Sequence, residues 1–241
     1  MSIEENGSLG DALENNFDFT IKEILSEAWG LTKGAKLIFN LSFLLYILIA
    51  VVLSLLLSPL FNSKIHYESG EFIKGILSDQ AQSLLSLPIL MPIMAGIIML
   101  AVQRASHKMI AVPMIFNYYI LVWPLVFASL LINTAVILGL FLLIIPGIYL
   151  SITFVFTIPL IIDKQLGIIE AMKTSYSVVN KKWWKFFGLY MTLVFYCILC
   201  IFTIGIGFIW VLPLTFLVNG VLYRRIFGYS NLIKIEDEAN F

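Results

Sequence analysis

Cys197 and Cys200 stand three apart in the run CILC, the spacing of a dithiol that exchanges with disulfides. That chemistry needs an accessible thiolate and a second dithiol or a quinone to relay to, and the chain has only these 2 cysteines. Both fall inside an apolar stretch, so they read as small buried apolar side chains. The histidines, His66 and His107, have no neighbours spaced as zinc ligands. No Gly-rich phosphate loop and no Ser-His-Asp arrangement can be assembled. Asp163 closes an apolar run and is followed at once by Lys164, so the pair reads as a boundary marker. No catalytic, metal or cofactor site is expected.

Two groups of polar residues remain. Ser129, Asn133, Thr157 and Asn219 lie within apolar runs. Such groups either bond across helix interfaces or line a path for a small neutral solute. The second group is NKKWWKFF together with Lys173, which supplies Lys181, Lys182, Trp183, Trp184 and Lys185. These residues either anchor a helix at the membrane surface or contact anionic lipid headgroups, each lysine contributing about 1 kcal/mol near such a leaflet.

The elements that position these side chains follow from composition. Hydrophobic residues make up 60% of the chain and charged residues 12%, half the share of a soluble domain. Charges are absent between Lys36 and Lys64, Asp79 and Arg104, Lys108 and Asp163, and Lys185 and Arg224. A helix needs about 20 residues to cross the hydrocarbon core, so the first two runs hold one span each and the last two hold two each. The fold class is all-α, a polytopic membrane protein with helices near 37–61, 83–103, 118–143, 147–162, 186–204 and 208–226. A single transmembrane domain, 17–229, lies between a polar, unstructured N-terminal tail (1–16) and an acidic C-terminal tail (230–241). The acidic start lacks the pattern of a signal peptide.

With the N-terminus cytoplasmic, 13 of the 15 Lys and Arg fall inside, leaving only Lys64 and Lys74 outside. The positive-inside rule then puts both termini in the cytoplasm. Pro146 and Gly147 in IIPGIYL would form the outer turn of one hairpin, and Gly205 and Gly207 in TIGIGF that of the next. The run from Lys185 to Arg224 is barely long enough to cross twice, so a re-entrant hairpin fits the charges equally well. Pro88, Pro92, Pro124, Pro159 and Pro213 are expected to kink their spans. Amphipathic segments at Phe17–Trp29, Glu71–Leu84 and Gln165–Asn180 either lie in the interface or pack on the bundle ends. Outside the membrane no basic-aromatic surface suits nucleic acid. Membrane lipids, anionic ones included, are the partners expected.

The block Ile144–Phe187 resembles the YciC-type family of bacterial inner-membrane proteins through Pro146, Gly147, Pro159, Asp163, Lys164, Gly167, Ala171 and Ser175. It is also similar to the membrane domain fused to some glycerophosphodiester phosphodiesterases. The resemblance implies a six-pass protein of the bacterial cytoplasmic membrane serving envelope maintenance or lipid metabolism, with no catalytic residues carried over. A non-catalytic protein acting through a basic cytoplasmic face leads; a permease or channel for a small neutral solute is the alternative.

Overall fold

The computed structural model describes residues 7–61 and 71–230, and no strand occurs among them. Six stretches are long and apolar enough to cross a membrane: Lys36–Leu60, Ala81–Ala105, Val112–Leu142, Ile144–Asp163, Trp183–Phe202 and Phe208–Phe227. The chain is an all-α polytopic membrane protein. His66, Lys64, Lys74 and the acidic tail from residue 231 onward lie outside the described side chains.

The N-terminal tail is not unstructured through residue 16; it is ordered from Gly7. Ser8 Oγ accepts from the Asp11 N–H at 3.1 Å and caps helix α1 (Leu9–Glu14), which ends at Asn15 in the left-handed region. An extended link follows, with Phe17 and Phe19 buried. Phe17 therefore lies outside the amphipathic helix on which periodicity places it. Thr20 then caps α2 (Ile21–Thr32). Of the two placements open to this segment, the structure has bundle packing: Ile24, Ala28 and Thr32 are buried, while Trp29 stays half-exposed.

Helices α3 (Lys36–Phe61) and α4 (Glu71–Ala105) form an antiparallel hairpin, with Gln82 Nε2 donating to the Ser54 carbonyl at 3.1 Å. The separate outer helix expected at Glu71–Leu84 does not break off, because α4 runs on through Pro88 and Pro92. Two 3-10 turns, Val112–Phe116 and Tyr119–Leu121, lead into α5 (Val122–Leu142). Pro124 occupies the first turn of α5, where its missing N–H has no partner to lose, so it starts the helix rather than bending it.

The reversal after α5 departs from expectation. Leu143 alone is extended (φ −162°, ψ 147°), and α6 (Ile144–Thr153) begins at once. Pro146 and Gly147 therefore sit in the first turn of a helix, not in the reversal. Pro146 is tolerated there because first-turn N–H groups lack intrahelical acceptors. Gly147 keeps an ordinary negative φ and serves close approach instead: a methyl group on it would strike Leu140, and one on Gly139 would lie 3.0 Å from the Gly147 backbone.

The fourth span is completed by α7 (Thr157–Asp163), which is buried throughout. The next elements are α8 (Ile168–Lys181), α9 (Trp183–Phe202) and α10 (Phe208–Phe227). The turn between α9 and α10 uses Gly205 at φ +81°, as expected, and Ile204 is also left-handed. Gly207 has a helical φ and makes room for Cys200, whose Sγ would lie 2.7 Å from an added Cβ. Helices α4 and α10 form the centre. Gly220 lets α10 press on the Ala101 backbone, and Ile93, Ile97, Leu100, Leu217 and Val221 are fully buried.

Candidate functional site

The fourth span is interrupted between Thr153 and Thr157. Pro159 cannot donate to the carbonyl of Val155 one turn earlier, which weakens the ladder where the gap opens. Broken backbone is tolerated at membrane depth only when protein groups satisfy it. Ser175 of α8 does this. Its buried hydroxyl donates to the Thr153 carbonyl at 2.6 Å and accepts from the Phe156 N–H at 3.2 Å. Helix α8 turns Ala171, Thr174, Ser175, Val178 and Val179 to the bundle; of the apolar face read from periodicity (Leu166, Ile169, Met172, Tyr176 and Val179) only Val179 is buried, and Ile169 and Tyr176 are exposed. Small residues allow the approach. Thr157, just past the gap, is fully buried, and its Oγ1 has no partner among the described residues.

Asp163 does more than mark a boundary. Its carboxylate is buried and accepts from Tyr223 Oη at 3.0 Å and from the Ser230 N–H at 3.0 Å, with Lys164 Nζ 3.3 Å away. It thereby ties the segment after α10 to the end of α7. Gly167, the N-cap of α8, has open space around its Cα.

The linker lysines converge on one concave surface. Lys181, Lys182, Trp183, Trp184 and Lys185 line it with Asp18, Tyr149 and Asn180, and its volume is about 650 Å³. Tyr149 of α6 builds one wall by donating to Asn180 Oδ1 at 2.6 Å. The N-terminal link straps the opposite side. Asp18 accepts from Lys185 at 2.6 Å and Lys182 at 3.1 Å, while Lys181 reaches the Leu13 carbonyl and Lys182 the Phe17 carbonyl. Hydrogen bonds from Lys185 first, then Lys182, hold the exposed Asp18 carboxyl well below the usual range. Phe19 anchors the strap edge-on to Phe186 at 5.1 Å. Three lysines against one carboxylate leave the surface cationic. Trp183 Nε1 is buried without a partner among the described residues, and Trp184 is 79% exposed. Lys173 is exposed on α8 and does not line this surface.

Most of the polar span residues bond the backbone of their own helices. Ser129 Oγ donates to the Val126 carbonyl and Asn133 Nδ2 to the Ser129 carbonyl, both at 2.8 Å within α5. Asn219 donates to the Thr215 carbonyl and accepts from Tyr190 on α9 at 2.5 Å. Cys197 and Cys200 are free thiols, Cys200 buried against the hairpin turn. His107 follows α4 with φ 56°, near Arg224.

Sequence reasoning missed the clamp on Glu27. Arg224, 6% exposed, donates to Glu27 at 2.5 Å and to the Ala105 carbonyl at 2.8 Å, and Arg225 holds the other carboxylate oxygen through Nε at 2.9 Å. The acid was legible only as a polar position on α2. Comparison with family models, curated proteins and solved structures finds no match.

Proposed function

We propose that this chain is a non-catalytic protein of a bacterial cytoplasmic membrane, of YciC type, that works through anionic lipid bound at its basic face. The observation that carries this reading is the cationic concavity of Lys181, Lys182 and Lys185, edged by the exposed Trp184 and the unpartnered Trp183 Nε1. Tryptophan belongs at headgroup level, and each lysine there adds about 1 kcal/mol of attraction. Asp18 occupies the place a lipid phosphate would take, so binding exchanges one anion for another and is gated by the strap.

The topology that goes with this reading keeps both termini on the basic side. It also makes the α9–α10 hairpin re-entrant. Asn40 Nδ2 donates to the Ile209 carbonyl at 3.0 Å, and the Lys36 ammonium lies 5.1 Å from the Trp210 ring centre. The start of α10 is thus level with the first turns of α3, near the charged end of that span.

Flotation of the purified protein with vesicles, comparing phosphatidylglycerol with phosphatidylcholine, tests the proposal. The wild type should favour the anionic vesicles, and Lys181→Gln/Lys182→Gln/Lys185→Gln should lose most of that preference. Equal preference in the two proteins would refute it.

A further inference from the structure

A second cationic pocket lies apart from the linker lysines. It has a volume of about 430 Å³ and opens where the N-terminal segment meets the end of α10. Its wall carries three cations from three parts of the chain: Lys108 after α4, Lys164 after α7, and Arg224 of α10. Local structure brings them together. The Lys108 ammonium sits 4.6 Å from the Tyr229 ring centre, and Lys164 bonds the hydroxyl of Ser230, the next residue. Gly228, at φ +64°, turns the chain so that these two residues face the end of α7. The hydroxyl-bearing residues Ser8, Ser106 and Ser230 complete the wall.

Among the described residues one cation of the pocket is left over. Lys164 has Asp163, and Arg224 and Arg225 have Glu27 and Glu23 between them. Lys108 has no carboxylate within ion-pair distance among the described residues. Arg224 also keeps a buried Nε–H without a partner among the described residues, although its two terminal nitrogens are bonded. A buried donor left unpaired costs free energy that an acceptor would recover.

We propose that this pocket binds a phosphate group, either as the free anion or as the headgroup of a phospholipid. Cations with hydroxyl donors match the tetrahedral array of acceptor oxygens, and the guanidinium supplies a fixed donor direction. The site is independent of the lysine surface proposed above, since none of its residues lines both.

Isothermal titration of the full chain in neutral detergent tests it, with inorganic phosphate in one arm and dihexanoyl phosphatidic acid in the other. Lys108→Gln is the diagnostic variant, because Lys108 is exposed and its loss leaves the core intact. Lys185→Gln is the control on the other surface. Saturable phosphate binding that Lys108→Gln weakens by roughly tenfold, and Lys185→Gln does not, supports a free-anion site. The same pattern with the phosphatidic acid alone supports a headgroup site. Absence of saturable binding in both arms overturns the proposal, as does equal weakening by the two substitutions.

Discussion

Ser175 sits in the gap of the fourth span, its hydroxyl 3.2 Å from the Phe156 nitrogen and positioned to accept that otherwise unpaired N–H. A side chain of α8 thus replaces a missing backbone partner of α6–α7. One consequence for stability follows from this bond and from its 2.6 Å counterpart to Thr153.

Ser175→Ala removes both partners and leaves a buried N–H and C=O unsatisfied. The loss expected is about 1–3 kcal/mol, from the desolvation penalty of such groups. Reversible unfolding in mixed detergent, compared with Ser177→Ala on the less buried flank of α8, measures it. Equal stability of the two variants would remove the bridging role.

The hairpin of α5 and α6 depends on a glycine contact rather than on a glycine turn. Gly147→Val must displace Leu140 and is expected to destabilise by about 1–3 kcal/mol, as overpacking does. Gly167→Ala meets open space and should stay within about 0.5 kcal/mol of the wild type. The same unfolding measurement separates them.

The strap over the linker lysines should respond to acid in a defined direction. The folded-state carboxyl of Asp18 is depressed, so the stabilisation it gives is complete above its ordinary pKa of about 3.9 and is lost as pH falls below that value. Hydrogen exchange at residues 13–19, corrected for intrinsic rates, should be constant from pH 8 to 5 and rise only in stronger acid. Lys185→Gln removes the largest cause of the depression, so it should raise exchange at neutral pH and make the further rise in acid smaller. Asp18→Asn should loosen the strap from pH 5 to 8 and strengthen binding to phosphatidylglycerol vesicles.

Depth of the last hairpin can be read chemically. In a Cys197→Ala/Cys200→Ala background, Ile204→Cys places a thiol on a residue that is 93% exposed at the turn. With a re-entrant hairpin, a membrane-impermeant maleimide labels it from the same side as Lys173→Cys. Labelling from the opposite side only would establish two full crossings.

Much of this architecture was legible because partition into a membrane is set by composition. Uncharged runs locate all six candidate spans to within six residues at either end, and Gly205 marks its turn through the one conformation that glycine favours. Tertiary partners leave no such trace. Nothing in the chain near Ser175 says that its hydroxyl meets a gap opened by Pro159, and Pro146-Gly147 imitates a turn that Leu143 makes one helical turn earlier. The linker lysines were legible as a cationic cluster; their strap was not, since Asp18 falls in a stretch whose periodicity suggests an amphipathic helix rather than an extended link. Arg224 reads as a surface anchor because its partner, Glu27, lies 197 positions away.

That separation sets the order of assembly. Residues 7–32 leave the ribosome first, yet the arginines that hold Glu27 and the lysines that hold Asp18 are made near the end. At roughly 5–20 residues per second, the early segment waits about 10–40 s for its partners. The belt is cut first and buckled last, so a nascent chain lacking α10 is still open at the face where its charges meet.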